Sequence, residues 1–132
     1  VCSSDLSTRY WYDAYDNEVN DRFVKAYMDA YGTPPSYNAE GAYAAIYAYK
    51  QAMEAAGTTE GPAVAKALSG MSMEAPNGTV TFRAGDHQAM VSPNWGVSGP
   101  MHPEHGIRTL TNLQIFNGEE VARTIEETGC KL

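Results

Sequence analysis

The sequence predicts an α/β protein in which helices come first and C-terminal strands with a β-hairpin come last. Three observations carry this reading. Apolar residues recur at helical spacing between Asn17 and Ala56, and the period falls to two after Pro76-Asn77-Gly78. Asn117-Gly118, a dipeptide suited to a type I′ turn, then stands between alternating apolar positions.

The elements follow in order. Tyr10-Trp11-Tyr12 is an aromatic run of high strand propensity. From Asn17 to Tyr31, Phe23, Val24, Tyr27 and Tyr31 make one face, while Glu18, Asp21, Arg22, Lys25 and Asp29 fill the other; Gly32 stops that helix. Thr33-Pro34-Pro35-Ser36 is a rigid connector, because neither proline continues a helix and each biases its predecessor to extended backbone. A second helix runs from about Ala39 to Ala56, with Ala42, Ala45, Ile46, Tyr49, Ala52, Met53 and Ala56 as its apolar stripe and Gly57 after its end. Pro62 opens a brief third helix carrying Val64, Ala67 and Leu68, which Gly70 closes. Val80 and Phe82 then alternate with polar residues as a strand. Ala84-Gly85-Asp86 is a turn, His87 to Val91 an interrupted strand, and Gly99 to Gly106 a loop. Leu113 and Ile115, with Val121 and Ile125 beyond Asn117-Gly118, form the final hairpin.

Composition narrows the function. The 132 residues suffice for one compact domain, and 43% hydrophobic with 19% charged residues fits neither a disordered nor a membrane protein. No apolar run approaches the roughly 18 residues of a bilayer span. A net charge of −7 without any Lys/Arg cluster argues against nucleic acid or an anionic membrane as the main partner. Cys2 and Cys130 lie at opposite ends and read as two unpaired thiols. The opening Val-Cys-Ser-Ser-Asp-Leu lacks the parts of a secretory signal. Residues 1–7 are set apart as a leader, either a non-native remnant or a frayed native terminus.

Catalytic chemistry finds little support. His102, Glu104 and His105 are the densest set of metal-ligand types, yet the histidines are three apart in a proline-containing loop, and a solvated loop explains them better. Asp86 and His87 are neighbours whose side chains would diverge on a strand, so a turn aspartate beside a surface histidine is preferred. Cys130 has no nearby base. No GxSxG, Walker A or GxGxxG motif occurs, and no catalytic residue, metal site or cofactor is expected. Nine tyrosines stand out, among them Tyr10, Tyr12 and Tyr15 before the first helix and Tyr37, Tyr43 and Tyr47 around the second. Tyrosine joins an apolar face to a polar tip and suits a ligand cleft, although at helical spacing it more often packs.

Phe23-Val24-Lys25-Ala26-Tyr27, Tyr31-Gly32-Thr33-Pro34-Pro35-Ser36-Tyr37, Ala42-Tyr43-Ala44-Ala45-Ile46, and Gly78-Thr79-Val80-Thr81-Phe82 with Asp86-His87-Gln88 follow one another in an order that resembles a known family. It is the type I periplasmic solute-binding proteins of ABC transporters, the branched-chain amino acid and amide group, and the likeness to their C-terminal portion covers about Thr8 to Ile125. That resemblance implies two α/β lobes that close on a small polar solute about three strand crossovers, with closure read by a membrane permease. It places Thr8 to Asp13 at the end of the second crossover, 8–78 mostly in the first lobe, and 79–132 in the third crossover and second-lobe strands. Tyr37 and Asn38 are implied to touch the solute, with Trp11 and Tyr12 near the hinge. The implied function is solute capture without catalysis, in a periplasmic or extracytoplasmic setting, with lipid anchoring open. A ligand-sensing domain of the same fold is the alternative, and a small metal-assisted hydrolase using His102, Glu104 and His105 a third. Without the sheet that such helices cover, their apolar stripes are expected to be exposed, and the segment alone is expected to bind solute poorly and to unfold partly or self-associate.

Overall fold

The computed structural model describes residues 6, 7 and 9–130, with side chains from residue 9 onward. Of the expected leader, residues 1–5 lie outside the described residues, as does Cys2; Leu6–Ser7 form strand β1, and Cys130 is exposed. Three helices follow: α1 (Glu18–Tyr31), α2 (Tyr37–Ala56) and α3 (Gly61–Leu68). Then come β2 (Ser72–Ala75), β3 (Gly78–Phe82), β4 (Ala89–Met90), β5 (Asn94–Met101) and β6 (Arg108–Ile115). Two short helices, α4 (Gly118–Val121) and α5 (Ile125–Thr128), follow β6.

The helix boundaries obey the capping chemistry in the sequence. The Asn20 N–H donates to Asn17 Oδ1 at the start of α1, and the Ala39 N–H to Ser36 Oγ at the start of α2. Gly32 and Gly57 close these helices at φ 69° and 65°, a left-handed conformation that costs glycine nothing. Pro62 sits in the first turn of α3, where its missing N–H is not needed.

The strands form two antiparallel sheets, β1-β5-β6 and β2-β3-β4. Strand β2 escapes the sequence reading because Ser-Met-Glu-Ala has no β-branched or aromatic residue. Its burial nonetheless alternates, with Met73 and Ala75 inward. It pairs with β3 from Ser72↔Thr81 to Ala75↔Gly78 around Pro76-Asn77. The core joins Ala48 of α2 to Met73, Ala75 and Val80, flanked by Ala44, Leu68, Met71, Phe82 and Ala89.

Four expectations are corrected. Tyr10-Trp11-Tyr12 is not a strand; the Ala14 N–H donates to the Trp11 carbonyl in a turn, because the aromatic side chains are used locally rather than in a sheet. The expected stripe of α2 is only partly its buried face. Ala52 of that stripe is buried and Met53 and Ala56 are half-buried, but Glu40 and Ala48, outside it, are buried too with Ala44 beside them, whereas Ile46 and Tyr49 are 68% and 53% exposed. Alanines occur on both sides of this helix, so periodicity alone left its orientation open. Gly99-Pro100-Met101 belongs to β5 rather than to a loop. Pro100 is tolerated because β1 reaches only Gly96 and Val97, and the β5–β6 register shifts between Ser98 and Met101.

The fourth correction concerns the last hairpin. It exists one turn earlier than expected, as β5 and β6 joined by the His102–Ile107 loop, in which the His102 N–H donates to the Ile107 carbonyl. Asn117-Gly118 is not its turn. Asn117 has φ −66° and caps α4, its Oδ1 accepting from the Glu119 N–H at 3.0 Å. Val121 and Ile125 accordingly lie in the short helices α4 and α5, not in a strand.

Candidate functional site

Residues 9–16 wrap around the first turn of α1 and are held there by Asn20, which is 3% exposed. Its Nδ2 donates to the carbonyls of Tyr12 and Tyr15, each at 2.9 Å, and its Oδ1 accepts from the Tyr10 hydroxyl at 2.6 Å. The Tyr10 and Tyr15 rings stack with centroids 5.7 Å apart, and Tyr10 meets Phe23 edge-on. The Tyr15 hydroxyl reaches the Ser92 carbonyl and Asn94 Oδ1. Burial, with the nearby Glu40 carboxylate, pushes Tyr15 up to about 12 and raises Tyr10 further, so both hydroxyls remain protonated donors.

With Tyr10 and Tyr15 turned inward, Trp11 and Tyr12 are left half-buried, their rings 4.9 Å apart. Burial and the neighbouring Asp13 also raise the Tyr12 hydroxyl's pKa. Pro34 and Pro35 are buried and fix the entry to α2, whose first turn exposes Tyr37 and Asn38. The Arg9 guanidinium lies 4.4 Å from the Tyr37 ring centroid. The four expected residues therefore form two pairs on adjoining segments: Trp11 with Tyr12, and the neighbours Tyr37 and Asn38. Arg9, two residues before Trp11, ties the segments together. Arg9 and Asn20 are the residues that sequence reasoning missed. An arginine ahead of an aromatic run and a polar residue on a helix are common, and only the fold shows what they meet.

The other tyrosines mostly pack on one another. Phe23–Tyr43, Tyr43–Tyr47 and Tyr27–Tyr31 have ring centroids 4.5–4.8 Å apart across the α1 and α2 surfaces. His102 and His105 stack at 4.4 Å in the β5–β6 loop, and among the described residues no group of three or more His, Cys, Asp or Glu side chains is placed to hold a metal. Asp86 is engaged in a turn by Arg83 Nε at 2.8 Å and by the Gln88 N–H at 3.2 Å, while His87 is exposed. Arg83 holds the Asp86 carboxyl down to about 2, so Asp86 serves the turn rather than acid/base chemistry.

Helices leading into two small antiparallel sheets, with an exposed tyrosine beside a guanidinium, make a segment of α/β type. The sequence pattern of the periplasmic binding protein family matches residues 5–97, and the chain belongs to that family. Among solved structures, an ABC-type branched-chain amino acid transporter protein from Rhodopseudomonas palustris is 27% identical with a TM-score of 0.78, over 88% of this chain and 31% of that one. An amino acid ABC transporter substrate-binding protein from Pseudomonas fluorescens is 26% identical at 0.77, over 93% and 32%. A solute-binding protein from R. palustris in complex with benzoate is 25% identical at 0.70, over 93% and 31%. The chain thus spans about a third of the length of these relatives. No curated protein matches it. Two of these relatives are described as substrate- or solute-binding proteins of ABC transporters, which gives the hydrolase alternative on His102, Glu104 and His105 no support.

Proposed function

We propose that the chain is the C-terminal portion of an ABC-transporter substrate-binding protein that captures an amino acid or amide, such as a branched-chain amino acid, and delivers it to a membrane permease. The observation that carries this is Arg9 stacked on exposed Tyr37 in the segment adjoining Trp11 and Tyr12. A guanidinium among aromatic surfaces suits a small solute with one carboxylate and an apolar body. In this reading Trp11, Tyr12, Tyr37 and Asn38 line one side of the cleft, 8–78 belong mostly to one lobe, and 79–132 supply a crossover and strands of the other. The site of action is the periplasm, with the protein either free or lipid-anchored. A ligand-sensing domain of the same fold remains the alternative.

A second reading replaces the amino acid by an aromatic acid, and the benzoate complex of the R. palustris relative favours it. Both solutes carry a carboxylate and differ in the ammonium group. Calorimetry on the product of the reading frame that contains this chain, with leucine, valine, glutamate, small amides and benzoate, separates them. Micromolar binding of one class, weakened at least tenfold by Arg9→Ala and Tyr37→Ala, is expected. Binding of none of them, or binding indifferent to both substitutions, overturns the reading.

A further inference from the structure

A pocket of about 230 Å³ lies between α2 and the β2-β3-β4 sheet, and none of its lining residues belongs to the cleft residues above. Gly41, Ala44, Ala45, Met73, Val80, Phe82, Ala89 and Val91 make most of its wall apolar. Two residues depart from this character. Glu40 is 6% exposed, and its Oε1 is buried without a hydrogen-bond partner; Asn77 Oδ1, also on the wall, is buried and unpartnered as well.

We propose that this pocket is a second binding site, independent of the solute cleft, for a small alkylammonium group whose N–H donors meet Glu40 and Asn77 and whose hydrocarbon tail lies on Met73, Val80 and Phe82. The argument is one of unmet need. An unpaired buried carboxyl costs free energy, as does an orphaned amide oxygen, and Glu40 in its charged form, like Asn77 Oδ1, lacks a donor. Neither Lys nor Arg is ion-paired with Glu40 among the described residues. Tyr10 and Tyr15, the titratable neighbours that act on it, donate their protons to Asn20, Ser92 and Asn94 instead. A primary ammonium brings three donors and one positive charge on an apolar stem. The space is adequate, since a dry cavity of about 150 Å³ accepts benzene. Burial holds the Glu40 carboxyl up at about 7, so a cation is needed there to favour its charged form.

The test titrates the product of the reading frame that contains this chain with n-butylammonium and, in parallel, with n-butanol, following backbone amide shifts by NMR. Saturable shifts at Gly41, Ala44, Val80 and Phe82 with butylammonium, at least tenfold tighter than any with butanol, are expected. Glu40→Gln should weaken ammonium binding at least tenfold, and Asn77→Ala should weaken it without touching the carboxylate. Equal binding of amine and alcohol overturns the proposal, as does an amine affinity unchanged in both variants. Absence of saturable shifts in a chain whose spectrum is folded, with only an ordered water bridging Glu40 and Asn77, overturns it equally. A failure here leaves the cleft reading intact, because Arg9 and Tyr37 play no part in it.

Discussion

The Tyr15 hydroxyl lies 3.1 Å from Asn94 Oδ1, joining the segment before α1 to the first residue of β5 across 79 positions of chain. The same hydroxyl donates to the Ser92 carbonyl at 2.9 Å, so one side chain spans the path by which the chain passes from one sheet to the other. Asn94 is fully buried. Removing the hydroxyl withdraws the one proton that the Ser92 carbonyl and Asn94 Oδ1 share, and Tyr15→Phe is expected to cost about 1–3 kcal/mol. Chemical denaturation of the two proteins measures it, and equal midpoints would show that the bond contributes nothing.

Asn20 makes a sharper case. Its side chain satisfies two backbone carbonyls and one tyrosine hydroxyl from inside the protein. Asn20→Ala should destabilise by about 2–4 kcal/mol, each orphaned group costing about 1–3 kcal/mol with partial relief by water. It should also loosen residues 10–15, so limited proteolysis near Trp11 and Tyr12 should accelerate relative to cleavage elsewhere.

Glu40 makes stability depend on pH. Its carboxyl titrates near 7 in the folded chain against an ordinary 4.5, so the native state retains a proton that the unfolded state has released. Its contribution is complete below about 4.5 and is lost as the pH rises through 7. Asp86 works the other way: held at about 2 against 3.8, its contribution is lost as the pH falls below 3.8. Melting temperature should therefore fall between pH 4.5 and 7.5 in the parent, and Glu40→Gln should flatten that decline. Parallel curves for the two proteins would remove Glu40 as the cause.

Two glycines should respond with opposite signs. A Cβ at Gly118 would run into the Val91 backbone, so Gly118→Ala should destabilise by about 1–3 kcal/mol. Gly41 sits inside α2 with open space where its Cβ would be, and Gly41→Ala should stabilise by about 0.5–1 kcal/mol. Thermal melts of both variants decide, and a shared sign would contradict the geometry.

The exposed face of α2 should drive self-association. Ile46 and Tyr49 stand 68% and 53% exposed in a helix whose opposite side is packed. Ile46→Lys with Tyr49→Lys should lower the sedimentation-average mass at high concentration without lowering the melting temperature, because neither residue supports the core.

The helices were legible because their signals are local. Asn17 and Pro62 mark two starts, and Gly32 and Gly57 mark two ends, each through bonds or torsions within a few residues, whereas Ser36, read as part of the connector, caps an α2 that begins at Tyr37 rather than about Ala39. The strands were legible only where side chains alternate in kind. Val80 and Phe82 announced β3, while Ser72 to Ala75 needed a partner strand to become β2. At the candidate site, the aromatic character of Trp11, Tyr12 and Tyr37 was visible in the sequence, but the Arg9–Tyr37 stack was not, since it joins residues 28 apart through space.

The amino-acid sequence by itself determined the succession of α1, α2 and α3, the glycines that end the first two, strand β3, the acidic charge and the likeness to solute-binding proteins. Tertiary structure decided which face of α2 is buried, because alanine permits close packing on more than one side and only the sheet opposite selects. It decided the meaning of Asn117-Gly118 as well. Gly118 lies too close to the Val91 backbone for any Cβ, so a dipeptide that reads as a hairpin turn is a helix start held in a tight packing contact. Local propensity ranks what a segment can become, and long-range packing chooses among the choices left open.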